Sequence, residues 1–134
     1  MKKQTKSMLG ALAFLVLAGV IVSSFATVVP PDAVTHTAIQ ESFFRIQMHI
    51  ARHRRFPASL DELPKRKGHA NRTTDGWHRP LIYRIEEDNF VTLLSLGKDG
   101  QPGGTGENAD IQTTYRTKNA DGSWCVGGVG TLPP

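Results

Sequence analysis

The residues of this chain best suited to chemistry lie between Leu94 and Ile111, in the run Leu-Ser-Leu-Gly-Lys-Asp-Gly-Gln-Pro-Gly-Gly-Thr-Gly-Glu-Asn-Ala-Asp-Ile. Asp99, Glu107, Asn108 and Asp110 space hard oxygen donors along it, with glycines at 97, 100, 103, 104 and 106. Each glycine loses more backbone freedom on folding than any other residue, so so many in one loop leave it mobile or fold it around something. Carboxylates beside freely turning backbone carbonyls suit Ca²⁺, which takes about six to eight oxygens. An EF-hand is excluded, because the Asp-x-Asp-x-Asp-Gly ladder and its terminal Glu are absent. On the residues alone, a calcium loop and a flexible loop stand side by side.

Other candidates are weaker. His49 and His53 lie one helical turn apart in His-Ile-Ala-Arg-His, without the Glu that a zincin helix uses as base and without a third ligand nearby. They read as a solvated pair on a basic helix end. The single Cys125 cannot form an intrachain disulfide and reads as a small apolar residue. A hydrolase built on His49, His53 or Cys125 is the most distant reading. With no nucleophile–base pair, phosphate-cradling loop or zinc constellation, the chain reads as non-enzymatic, without a small-molecule substrate.

The net charge of +4 includes Lys2, Lys3 and Lys6, which precede an apolar segment. From Arg45 to Arg84 there are ten basic and three acidic residues; from Ile85 to Asp121, three and seven. The acidic half holds the glycine loop, which fits a cation there. Overall the balance is too even for nucleic acid to be the partner.

The elements that must position the loop follow in order. Met8 to Val29 carries no charge and is long enough for a membrane helix; a cleaved signal peptide and a prepilin-type leader ending at Gly10 are the competing readings. The leading lysines put the N-terminus in the cytoplasm and the rest outside. The expected division is therefore 1–29, basic leader and membrane segment, and 30–134, exported domain. Asp32 is the expected N-cap of a long helix from Ala33 to His53, with Ile39, Phe43, Ile46 and Ile50 on one stripe and Phe43 and Phe44 in the core. The basic run Arg52 to Arg55 ends it as a solvated face. Ser59 and Glu62 form a capping box for one short turn, with Leu60 and Leu63 facing the long helix. Lys65 to Thr74 reads as an exposed loop. Leu81–Ile85 and Phe90–Leu96 make a hairpin, Trp77 packs in the core, and Gln112–Tyr115 offers a further strand. Lys118–Gly122 is a turn, Trp124-Cys125-Val126 packs locally, and 126–134 is a Gly/Pro tail. The fold class is α+β: one long helix on a small antiparallel sheet.

Three segments, in order, resemble the major pseudopilin family of type II secretion systems. They are Arg-Arg-Phe-Pro-Ala-Ser-Leu-Asp-Glu-Leu after the long helix, Asp75-Gly76-Trp77-His78-Arg79-Pro80-Leu81-Ile82-Tyr83, and Ser95-Leu96-Gly97-Lys98-Asp99-Gly100 through Asn108-Ala109-Asp110-Ile111. The resemblance implies a pseudopilin-like fold and a structural Ca²⁺, with Asp99 and Asp110 as side-chain ligands, Leu96 and Gln101 giving carbonyls, and Asn108 close enough to contribute. It implies a single pass of the bacterial inner membrane through residues 8–29, a periplasmic C-terminal domain, and a part in protein secretion. The partners implied are other secretion-system or pilin-like subunits, with self among the candidates. The N-terminus departs from the family pattern: Gly10 is followed by Ala11-Leu12-Ala13, no Glu precedes Glu41, and Pro30-Pro31 interrupts the helix. A stand-alone membrane-anchored or exported Ca²⁺-binding module that no longer assembles is the alternative.

Overall fold

The computed structural model describes residues 28–87 and 89–125. One helix, α1 (Pro31–His53), packs on an antiparallel sheet of β1 (Ile82–Glu86), β2 (Phe90–Ser95) and β3 (Ile111–Arg116), in the order β1-β2-β3. This is the α+β arrangement expected, and β3 is the further strand read from Gln112–Tyr115. Among the described residues no helix is long and apolar enough to cross a membrane. The membrane segment expected at 8–29, apart from Val28 and Val29, lies outside the described residues, as does the tail at 126–134.

Helix α1 starts at Pro31, whose fixed φ suits a first turn and whose missing N–H is not needed there. Asp32, expected as the N-cap, instead sits inside the first turn, where its charge complements the helix dipole. The capping position belongs to Pro30, extended at φ −61° and ψ 146° and offering no side-chain bond. The helix stops at Arg54, left-handed at φ 53°, whose N–H donates to the Ile50 carbonyl at 2.8 Å.

The stripe of Ile39, Phe43, Ile46 and Ile50 is buried as expected, against Val91, Leu93 and Tyr115 of the sheet. Strand alternation explains the partners: Val91 pairs with Ile85 and Tyr115, and Leu93 with Tyr83, which puts these side chains on one face. The Phe43 and Tyr115 rings stack with centroids 3.6 Å apart. Phe44 is not core; it is 46% exposed. Phe44 falls just outside the buried side of α1, which takes Ser42 and Phe43 and then Arg45 and Ile46. The Arg66 guanidinium covers the Phe44 ring instead, 4.3 Å from its centroid.

Arg45 is buried on the same helix and spends its fork on one loop. Nε donates to the Pro64 carbonyl at 2.8 Å, and the two terminal nitrogens donate to Asn71 (3.0 Å) and Leu63 (3.3 Å). Burial lowers its pKa, with Glu41 acting in the opposite direction. The segment after the short turn is thus clamped at both ends. Asn71 ties it further, its Oδ1 accepting from the Arg66 N–H at 2.6 Å.

The short element after Pro57 is a 3-10 turn, Leu60–Glu62, which buries Leu60 beside Leu63. Its capping is displaced from the expected box. Ser59 Oγ accepts from Asp61 N–H at 3.3 Å, and Glu62 reaches Ala58 N–H at 3.1 Å instead of that of Ser59. After β3 the chain turns back, with Cys125 N–H donating to the Thr117 carbonyl at 2.8 Å. Trp124 meets the Phe56 ring edge-on at 5.0 Å, so it packs on the connection after α1, far along the chain, and not only locally as expected. Cys125 is half-buried, with its Sγ donating to Asn119 Oδ1 at 3.2 Å.

Candidate functional site

The sheet closes the glycine loop before the loop does anything itself. Ser95, the last residue of β2, pairs with Ile111, the first of β3, so the two ends of the loop are neighbours. A second clasp follows: Lys98 N–H donates to the Glu107 carbonyl at 2.8 Å, and Lys98 Nζ meets Glu107 Oε2 at 2.7 Å. Glu107 is therefore engaged by a lysine through one carboxylate oxygen.

Between the clasps, two glycines admit the returning backbone. A Cβ on Gly97 (φ 66°) would stand 2.7 Å from the Ala109 carbonyl oxygen, and one on Gly104 (φ 87°) 2.5 Å from that of Asn108. Any other residue would force these segments apart. The Asn108–Ala109 stretch, followed by Asp110, is thereby packed against the first half of the loop that carries Asp99.

The loop's two central aspartates each spend one oxygen on the loop's own backbone. Asp99 Oδ1 accepts from Gln101 N–H and Asp110 Oδ2 from Gly103 N–H, each at 3.0 Å. That leaves the second oxygen of each carboxylate without a hydrogen bond among the described residues. Asp99, Gln101, Asn108 and Asp110 are all exposed, and Leu96 is half-buried at the loop mouth. Among the described residues no three His, Cys, Asp or Glu side chains are grouped to hold a metal. A cation here would depend on the two aspartates together with backbone carbonyls, a mixture that Ca²⁺ accepts.

Beneath the loop lies a polar anchor at Asp75, in the second of the three segments that resemble the family. Asp75 is 1% exposed; its Oδ1 accepts from Trp77 N–H (2.9 Å) and Arg79 N–H (2.8 Å), and its Oδ2 from Ser95 Oγ (2.7 Å). Trp77, expected in the core, is only half-buried. Gly76 N–H donates to Thr35 Oγ1 at 2.9 Å, and a Cβ at Gly76 would run into the Pro31 carbonyl. The turn is thus wedged under the first turn of α1. In the sequence this anchor stands out as an acidic residue directly before Gly-Trp, within a segment that resembles the family.

The expected solvated histidine pair holds for one member only: His53 is exposed, whereas His49 is buried. His49 is 4% exposed, and its Nε2 has no hydrogen-bond partner; Glu62 Oε2 stands 3.9 Å away, while the His53 ring lies 4.5 Å from the His49 ring, centre to centre. Burial, then His53 and Arg55, lower the His49 pKa, against a smaller opposing pull from Glu62. A base with a lowered folded pKa takes up its proton more readily when unfolded. Stability is therefore full above the ordinary histidine value of about 6.5 and falls as pH drops from there to the folded pKa. His49→Leu removes both the orphaned nitrogen and this slope. Urea unfolding should find the variant more stable by about 1 kcal/mol at pH 7.5, with a wider margin at pH 5.5. A margin that narrows on acidification would contradict the assignment. The Glu62 carboxyl titrates lower, its pKa reduced chiefly by the Ala58 N–H.

Comparison with known proteins gives no matching curated protein and no matching solved structure. A family match does exist, and it spans the end of the α1 connection, the 3-10 turn, the Asp75 anchor, the hairpin and the glycine loop. Residues 55–114 match the family described as Type II secretion system (T2SS), protein G, the major pseudopilin family that the three sequence segments resemble.

Proposed function

We propose that the chain is a pseudopilin-like, non-enzymatic component of a type II secretion system, with its domain exported to the periplasm and stabilised by Ca²⁺. The observation that carries the reading is the family match over 55–114, which contains the whole glycine loop and the anchor beneath it. Asp99 and Asp110 would hold the cation, helped by carbonyls of Leu96 and Gln101 and by Asn108. Bound Ca²⁺ would supply an oxygen-seeking centre that joins the two halves of the loop. The chain's own residues already do part of this work: Lys98 and Glu107 close the loop, and Gly97 and Gly104 let the Asn108 carbonyl approach. The partners are other pilin-like subunits, reached from an inner-membrane anchor at residues 8–29.

A second reading is favoured by one observation. Pro30 is extended, so α1 begins afresh at Pro31 instead of continuing any preceding helix. That geometry suits a Ca²⁺-binding module that no longer assembles. Fractionation and cross-linking of the full chain in cells separate the two. The secretion reading expects recovery with membranes and cross-links to pilin-like subunits; a free soluble monomer would sink it and leave the module.

A further inference from the structure

We infer that Arg79 and Ser95 are positioning residues for cation binding by the glycine loop, acting through a closed ring of hydrogen bonds that runs Asp75–Ser95–Gly97–Arg79 and back to Asp75. The inference rests on the calcium reading proposed above. Asp75 Oδ2 accepts from Ser95 Oγ at 2.7 Å, and Ser95 Oγ accepts from Gly97 N–H at 3.2 Å. The Gly97 carbonyl accepts from an Arg79 guanidinium nitrogen at 2.7 Å. Arg79 N–H returns to Asp75 Oδ1 at 2.8 Å, and Asp75 N–H donates to the Arg79 carbonyl, also at 2.8 Å.

The ring holds the loop at one residue from three sides. Gly97 is fixed through its N–H by Ser95, through its carbonyl by Arg79, and through its α-carbon by the Asn108–Ala109 backbone. The Arg79 side chain also runs under Gly100, where a Cβ would stand 2.9 Å from Nε. Asp99 lies between these two supported glycines. The frame itself does not drift, since Gly76 N–H is tied to Thr35 Oγ1 and Thr35 Oγ1 to the Pro31 carbonyl at 2.8 Å on α1. A loop held in place beforehand loses less freedom when it binds, which raises affinity without adding a ligand.

The guanidinium charge works against a cation, so the sign of its effect is diagnostic. Calorimetric titration of the full chain in detergent micelles with Ca²⁺ compares wild type with Arg79→Met, Arg79→Lys, Ser95→Ala and Ser95→Thr. Loss of supporting hydrogen bonds around a metal typically weakens binding about tenfold or more. We expect Arg79→Met and Ser95→Ala to lose about tenfold, and Arg79→Lys and Ser95→Thr, which keep a donor, to recover most of it. Equal or tighter binding by Arg79→Met overturns the positioning role.

If wild type binds no Ca²⁺, the calcium reading fails and amide hydrogen exchange of the metal-free protein decides the ring alone. The Lys98 amide, held by the Glu107 carbonyl, should exchange about tenfold faster in Arg79→Met and Ser95→Ala, with the amides of Val91 and Leu93 unchanged. Unchanged protection at Lys98, or an equal rise at all three, overturns the inference.

Discussion

Asp75→Ala should cost the domain about 3–5 kcal/mol, a large share of the roughly 5–15 kcal/mol that holds a protein of this size together. The carboxylate is buried and accepts from three donors, the Trp77 and Arg79 amides and the Ser95 hydroxyl. Removing it strands all three at a place where Gly76 is packed against the α1 backbone, which leaves little room for a replacement water. Each stranded buried donor costs about 1–3 kcal/mol, and partial relaxation brings the total below the simple sum. Asp75→Asn keeps an oxygen for the two amides and should cost only about 1 kcal/mol, because its NH₂ meets a hydroxyl that already accepts from Gly97. Urea unfolding of the two variants measures the difference. An alanine variant within about 1 kcal/mol of wild type would show that the anchor is dispensable.

Arg45→Met is the second large effect, at about 3 kcal/mol. Methionine fills much the same space, so the loss falls on the three carbonyls of Leu63, Pro64 and Asn71 that the guanidinium holds. Those carbonyls belong to a segment that is otherwise largely exposed between Lys65 and Ala70, and water can recover some of them. The damage should therefore be local first. Limited proteolysis should cut faster between Lys65 and Ala70 in the variant, before the sheet is affected. Lysine at the same position reaches one carbonyl at a time and should restore only part of the protection. Cleavage at the wild-type rate would mean that Asn71 and its own bonds hold the segment unaided.

These two residues also mark where the sequence stopped being readable. Ile39, Phe43, Ile46 and Ile50 announced the packed face of α1 by their spacing, and alternation announced the hairpin, because apolar periodicity follows directly from helix and strand geometry. The glycine loop was legible as a loop between two strands, while the residues alone left a calcium loop and a flexible loop side by side. Arg45, Asp75 and His49 were not legible. A polar side chain is buried only when partners far along the chain are brought to it, and spacing along one element does not show them. Phe44 fails in the same way from the other side, since spacing along the helix does not show on which side of Phe43 the buried face ends. Asp32 was displaced because Pro31 is itself a good first residue for a helix. The candidate site shows the same limit: Asp99 and Asp110 are named from the chain, whereas the hydrogen-bonded ring at Gly97 joins turn, strand and loop and emerges only once they are folded together.

Thermal unfolding of the full chain in detergent micelles, with Ca²⁺ and with a chelator, tests the claim that the glycine loop is a cation site. Wild type is compared with Asp99→Ala/Asp110→Ala. Ca²⁺ at about a hundredfold above its Kd should add about 2.7 kcal/mol to the wild type, a rise of several degrees in Tm, and nothing to the double variant. A wild-type Tm that is the same in Ca²⁺ and in chelator would contradict the account and leave a closed, metal-free loop held by Lys98, Glu107 and Arg79.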